Sequence, residues 1–381
     1  MALISILLED HFGDIPDVRR EHGKKYPLKT ILILAVIGVL GGCNDWVAIA
    51  EFCRLRQAWL SELGLGKVMP SHDTFRYVFA KLNPGVFEEC FMNWVNSLAA
   101  LNMLGVVAID GKVSRRSHDR KHEQSAIETV TACLGSTGFV LAQKTVAEGS
   151  NEIAAVPELL KLLVLKNCIV TTDAANCQAQ NTQLIIEQGG DYVLALKENQ
   201  ATLHENTVLA FEHEDKNNFR GVEHETWTTR ETNRGRKETR EYTLLSEPDY
   251  IEHLNASGRW WQLGGIGRVR RTRVLEGVTQ TETHYYITSL SSDVKRFANA
   301  VRGHWGIENR VHWPLDTVFQ EDLARNRVGH QPANFAVLRR FVLNLLRLET
   351  TYKASLKNKR MRVAITPDYL RTVLSAAVTS N

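Results

Sequence analysis

The part of the chain that most limits its fold lies between residues 105 and 198. GVVAIDGK (105–112) reads as a buried strand meeting a turn. AIETVTACLG (126–135) and GFVLAQKTV (138–146) alternate as paired strands joined by Ser136-Thr137-Gly138. EIAAVPELLKLLV (152–164) reads as a helix, with Pro157 at its first turn or at a kink. NCIVTTDA (167–174) is a second buried strand, QAQNTQLIIEQGG (178–190) a helix stopped by glycines, and DYVLALKE (191–198) a third buried strand. Three strands followed by alternating helix and strand predict an α/β fold, a mixed sheet with helices on its faces.

The flanking segments have other periods. Residues 1–100 read as helices: LKTILILAVIGVL (28–40) as a core helix, WVAIAEFCRLRQAWLSELG (46–64) as one amphipathic helix, TFRYVFAKL (74–82) capped by Asp73, and VFEECFMNWVNSLAAL (86–101). Such a set suits either a DNA-contacting module or a packing cap. After a polar helix near 201–214, residues up to 290 carry charged, threonine-rich strands. An antiparallel sheet with one wet face accounts for them, but interleaved Trp260, Trp261, Arg268, Arg270, Arg271 and Arg273 also suit phosphates and bases. Helix resumes over 292–313, QPANFAVLRRFVLNLLRLE (331–349) reads as strongly amphipathic, and the last thirty or so residues are expected to fray in part.

Length and composition set limits. The 381 residues suffice for two or three domains with real cores. A net charge of +3 does not by itself argue for nucleic acid, yet the basic residues cluster at 112–121, 234–240, 268–273 and 357–362, which favours an anionic partner. The six cysteines show neither zinc spacing nor disulfide density and read as small buried residues in a reducing compartment. The apolar run 31–43 is too short to span a bilayer, which takes about 20 residues, and no secretory signal is evident, so a cytoplasmic protein without a membrane contact is expected.

The chemistry concentrates in VRGHWGIENRVHWPLDTVFQED (301–322). On a regular helix His304, Glu308 and His312 share one stripe, flanked by Trp305 and Trp313, which read as core. Upstream, two apolar strands end in Asp110 and Asp173, where an open α/β sheet delivers functional side chains. Asp110, Asp173 and Glu308 together make a set of hard oxygen ligands for Mg²⁺ or Mn²⁺, and two such ions suit in-line phosphoryl transfer. The competing reading takes His304, Glu308 and His312 as zinc ligands, but it leaves both aspartates without a role.

VVAIDGKVSRRS, IVTTDAANCQ, VLALKENQ and the 301–322 segment resemble the signature segments of DDE transposases of bacterial insertion sequences, in particular the H-repeat-associated (ISAs-type) group. LILAVIGVLGGCNDW and MPSHDTFRYVFAKL resemble that group's N-terminal associated domain, so the likeness covers nearly the whole chain. It implies an RNase H-like core (104–198 and 291–349), a β-rich insertion (199–290), an all-helical N-terminal domain (1–103) and a basic C-terminal tail (350–381). It also implies Mg²⁺-dependent cleavage and strand transfer at double-stranded transposon ends, with Asp110, Asp173 and Glu308 as the acids, two ions, and a homo-oligomer holding two ends. A DNA-binding remnant without activity, and a nuclease that does not join strands, are the alternatives.

Related groups carry a tyrosine, an arginine and a lysine around the glutamate; Val301, His304 and Leu315 stand there in this chain. Lys112, Arg302 and His304 are the expected substitutes toward phosphate, with Arg115, Arg116, Arg268, Arg270 and Arg271 as further DNA contacts. Asp316, Glu321 and Asp322 offer replacement carboxylates, in poorer context than Glu308.

Overall fold

The structure, a computed structural model, describes residues 11–376 apart from 14, 21–23, 99–104, 120–123 and 234. From Leu28 the described residues run through the helices α1 (Leu28–Leu40), α2 (Trp46–Leu55), α3 (Gln57–Glu62), α4 (His72–Lys81) and α5 (Pro84–Ser97). The segment expected as one helix over 46–64 divides at Arg56, and α4 begins one residue before Asp73. Its cap is Ser71, whose Oγ accepts from the Thr74 amide at 3.4 Å. The end of the expected 86–101 helix lies outside the described residues.

The sheet follows: β1 (Val106–Val113), β2 (Glu128–Leu134), β3 (Val140–Thr145), α6 (Glu152–Leu160), β4 (Ile169–Thr172), α7 (Ala179–Glu187), β5 (Asp191–Leu196) and α8 (Ala201–Asn217). Next come β6 (His224–Asn233), β7 (Arg236–Leu245), α9 (Pro248–Leu254), β8 (Gly265–Leu275) and β9 (Val278–Thr288). All nine strands form one sheet in the order β3-β2-β1-β4-β5-β9-β8-β7-β6. β1, β4 and β5 run parallel and the other pairs antiparallel. The first five strands give the mixed sheet of an RNase H-like core. The β-rich segment extends it, because β9 pairs with β5.

Successive strand residues face opposite sides, and the core divides accordingly. Ile169 and Val193 pack with Phe297, Ala300 and Val301 of α10 (Val294–Ile307), while Val170 and Leu194 join the larger core that also holds the N-terminal helices. That helix is capped from the extension: the Glu225 carboxylate accepts from the Asp293 and Val294 amides at 3.0 and 2.8 Å. Beyond α10 come a π-helical turn (Glu308–His312), α11 (Trp313–Thr317), α12 (Gln331–Leu348), α13 (Leu356–Ile365) and α14 (Pro367–Ala376).

One expectation fails in this last part. α12 is buried nearly all round rather than amphipathic, because its polar residues are bolts. Asn344 exchanges hydrogen bonds with the Val140 backbone at 2.8 and 2.7 Å, and Asn334 donates to the Phe79 and Leu82 carbonyls at 2.8 Å. Of the terminal segment expected to fray in part, residues 356–365 and 367–376 form α13 and α14, and 377–381 lie outside the described residues. Arg360 reaches the Val39 carbonyl at 2.8 Å and Lys359 the Leu346 carbonyl at 2.9 Å, so half of the 357–362 basic cluster satisfies helix ends inside the fold.

No helix among the described residues is long and apolar enough to cross a membrane. The six cysteines form no disulfide, and all but Cys43 are buried.

Candidate active site

The β1–β4 register sets the first two acids side by side. Ile109 stands opposite Thr172 on parallel strands, so the next residues along are Asp110 and Asp173. β1 continues to Val113, so Asp110 lies within a strand and not at its end; Thr131 of β2 stands opposite it. Asp173 does follow β4. Its Oδ1 accepts from the Asn176 amide at 3.1 Å and from Asn176 Nδ2 at 2.9 Å.

The third acid arrives on α10. This helix approaches β1 closely because glycines line its contact: a Cβ on Gly303 would stand 2.8 Å from Val106, and one on Gly306 would strike the Gly135 carbonyl. One turn later the helix widens into the π turn, which carries Glu308 and His312. His312 Nδ1 lies 3.2 Å from Glu308 Oε2 and 3.7 Å from Asp110 Oδ2. Ligand atoms of Asp110, Glu308 and His312 all fall within 4.8 Å of one another. The expected histidine stripe is therefore broken. His304 turns away, its Nδ1 3.2 Å from Thr171 Oγ1, and among the described residues the zinc set of His304, Glu308 and His312 does not assemble.

A fourth carboxylate was not foreseen. Glu152, in the first turn of α6, accepts from Asn176 Nδ2 at 2.8 Å, so one amide bridges Glu152 and Asp173. Its only sequence signal is an acid in a helix's first turn, which the helix dipole favours anywhere. Burial, then the charges of Glu152, Asp173 and Glu308, push the Asp110 carboxyl up to about 7. Burial and the Asp173 charge likewise raise Glu152. Burial, with Arg340 and Lys112 nearby, drives the His312 imidazole down to about 3, so it is neutral. Burial also lowers His304, with Asp173 opposing. Like charges forced together in a partly dry site call for a cation, and the donors present suit a divalent one.

The candidate phosphate and DNA contacts divide. Lys112 is committed, with Nζ 2.9 Å from Asp316 and 3.4 Å from Asp322. Arg268 is buried and bidentate on Asp215 at 2.6 and 2.9 Å, so it is engaged inside the fold and not offered to a phosphate. Arg271 donates to Glu238 at 2.8 Å, Arg270 reaches Asp215 at 3.5 Å, and Arg302 pairs with Glu231 at 2.8 Å. Arg115, 81 % exposed although its Nε lies 3.3 Å from Asp322, and Arg116 remain on the surface. The carboxylates 316–322 are occupied too: Asp316 and Asp322 hold Lys112, and buried Glu321 pairs with Arg340 at 3.1 Å and Arg339 at 3.7 Å. Trp260 is buried ahead of β8, so it does not interleave with the arginines of that strand.

Trp305 and Trp313, expected in the core, are 57 % and 61 % exposed. Trp305 borders a cleft of about 400 Å³ between α10 and the sheet extension, lined also by Arg236, Arg240, Arg271, Arg302 and Arg310.

The fold and the acidic cluster define an RNase H-like protein of the DDE type. A family model described as a transposase DDE domain matches residues 102–345, and a DDE-transposase-associated model matches residues 9–95. The chain therefore belongs to the DDE transposase family. Similar proteins cover almost all of it. YbfL of Escherichia coli (strain K12) is 33% identical over 373 residues, 97% of this chain and 98% of that protein. YhhI of the same strain, provisionally named an H repeat-associated transposase, is 32% identical with the same coverage. YncI of Escherichia coli O157:H7, provisionally named a transposase, is 34% identical over 384 residues, 99% of this chain and 96% of that one.

Proposed function

We propose that the protein cleaves and joins the ends of an insertion sequence, in a reaction dependent on Mg²⁺ or Mn²⁺, with Asp110, Asp173 and Glu308 as the metal-holding acids. The observation that carries this is the convergence of acids on Asp110: the β1–β4 register sets Asp173 beside it, and ligand atoms of Glu308 and His312 lie within 4.8 Å. Burial first, then the charges of Glu152, Asp173 and Glu308, push the Asp110 carboxyl up to about 7. Such a site is unfavourable without a counter-charge, and phosphoryl transfer needs one. When bound, the ions supply a Lewis acid for the scissile phosphate and an activated oxygen nucleophile. The chain's own part is to fix the ligands: Asn176 orients Asp173 and Glu152 together, and the π turn orients Glu308 over Asp110.

In this reading double-stranded DNA meets the exposed side chains of Arg115, Arg116, Trp305 and Trp313, and the helices of residues 1–103 contribute to binding. The sheet extension (199–290) and the C-terminal segment (350–381) frame the core (104–198 and 291–349), and a homo-oligomer pairs two ends. The test is incubation with DNA carrying the flanking repeats of its own locus. Joined products that need the divalent ion support the proposal. Cutting without joining would make the protein a nuclease, and binding without cutting an inactive remnant.

A further inference from the structure

Three carboxylates explain a site for hard cations, but not why an imidazole is packed among them. His312 is 4 % exposed, and its Nδ1 faces carboxylate oxygens of Asp110 and Glu308 at once, at 3.7 and 3.2 Å. Its other ring nitrogen is buried and meets no hydrogen-bond partner. Donors next to each other around a six-coordinate ion, with bonds near about 2.1 Å, sit about 3 Å apart. The three side chains already approximate that spacing, and their ligand atoms fall within 4.8 Å of one another.

Position in the chain adds a second reason. Glu308 and His312 bound the π turn, and the regular helix before it sends His304 to Thr171 instead. The widened turn thus delivers an oxygen and a nitrogen to one face of Asp110. Asp173 and Glu152 are tied together instead by an amide, Asn176 Nδ2.

We propose that His312 is a direct ligand, through Nδ1, of the divalent ion held by Asp110 and Glu308, and that this nitrogen biases the position toward Mn²⁺ over Mg²⁺. The inference rests on the metal reading of the carboxylates given above. Its chemistry is general: Mg²⁺ takes oxygen ligands and gives up water reluctantly, whereas imidazole nitrogen suits transition ions. The π turn is then a selectivity device, and the carboxylates alone would not discriminate between the two metals.

The test is Mn²⁺ binding to the full-length, tag-free protein without DNA, followed by electron paramagnetic resonance and electron-spin-echo modulation. The expected result is nuclear modulation from one directly bound ¹⁴N, converted to the ¹⁵N pattern on isotopic labelling. It should persist in His304→Gln and disappear in His312→Gln. His312→Gln should also weaken Mn²⁺ binding by about tenfold or more while changing Mg²⁺ binding less. Wild-type protein that binds Mn²⁺ through Asp110, with no nitrogen modulation, would overturn the proposal and leave the carboxylate site standing. Mn²⁺ binding that Asp110→Asn does not affect would contradict the carboxylate site itself, and this proposal with it. The wild-type spectrum decides the matter even if the His312 variant does not fold.

Discussion

The carboxylate of Glu152 occupies the space that a side chain on Gly111 would need: a Cβ built there would stand 2.6 Å from Glu152 Cδ. The residue after Asp110 is a glycine in a strand, where glycine normally weakens structure. Its absence of a side chain lets a fourth acid reach the cluster. Gly111→Ala should displace the flexible Glu152 side chain at little cost in folding, and Glu152→Gln should remove its charge in place. Both variants are expected to weaken divalent-ion binding several-fold, measured by titration calorimetry, with melting temperatures close to wild type. Unchanged affinity in both would remove Glu152 from the site.

The ionisation of Asp110 makes a stability prediction for the metal-free protein. Its folded-state value is raised from 3.8 to about 7, first by burial and then by Glu152, Asp173 and Glu308. A raised carboxyl favours folding below the unfolded value, and that contribution is lost as pH rises through about 7. With chelator present, Asp110→Asn should therefore melt higher than wild type at pH 8, by about 2 °C or more, and the gap should shrink toward pH 4. Divalent ion should restore wild type but not the variant. A gap that is constant with pH would contradict the assignment.

Arginines on the sheet extension and on the 112–121 segment should behave oppositely. Arg268 packs over Phe211, 4.7 Å from its ring centroid, while holding Asp215. Arg268→Ala should cost about 1–3 kcal/mol of stability, with DNA affinity in the folded fraction little changed. Arg115→Ala and Arg116→Ala should leave the melt unchanged, weaken DNA binding, and each reduce the salt dependence by about one phosphate contact. Filter binding over a salt series separates the two classes. A normal melt for Arg268→Ala with lost binding would return that residue to the interface.

Glu321 is a buried anion between two buried guanidiniums, Arg339 and Arg340. Glu321→Ala leaves both uncompensated and should cost about 3–5 kcal/mol. Its loss of function should appear as loss of soluble, folded protein in denaturant melts. A stably folded variant that has lost only cleavage would make Glu321 a functional acid.

Much of the fold was readable because it rests on local periodicity. The apolar runs 105–112, 167–174 and 191–198 became β1, β4 and β5, and alternation in 126–146 became the β2–β3 pair. What the sequence did not reveal depends on distant partners. Lys112 and Arg115 are both cations in one short segment, and only tertiary packing holds Lys112 between Asp316 and Asp322 while Arg115 meets Asp322 from an exposed side chain. α12 read as amphipathic because Asn334, Arg340 and Asn344 are polar, but each meets a buried partner far away in sequence. The π turn has no residue signature. Regular-helix spacing therefore grouped His304 with Glu308 and His312, whereas His304 turns to Thr171 and Glu308 and His312, on the π turn, meet Asp110.

The most direct test of the central claim is strand transfer by the purified protein on its own locus-flanking repeats, with Mg²⁺ or Mn²⁺, comparing wild type with Asp110→Asn, Asp173→Asn and Glu308→Gln. Joined products that require the ion and vanish in all three variants, with DNA binding retained, are the predicted result. Joining at a normal rate by any one of the three, or joining in the presence of chelator, would contradict the assignment.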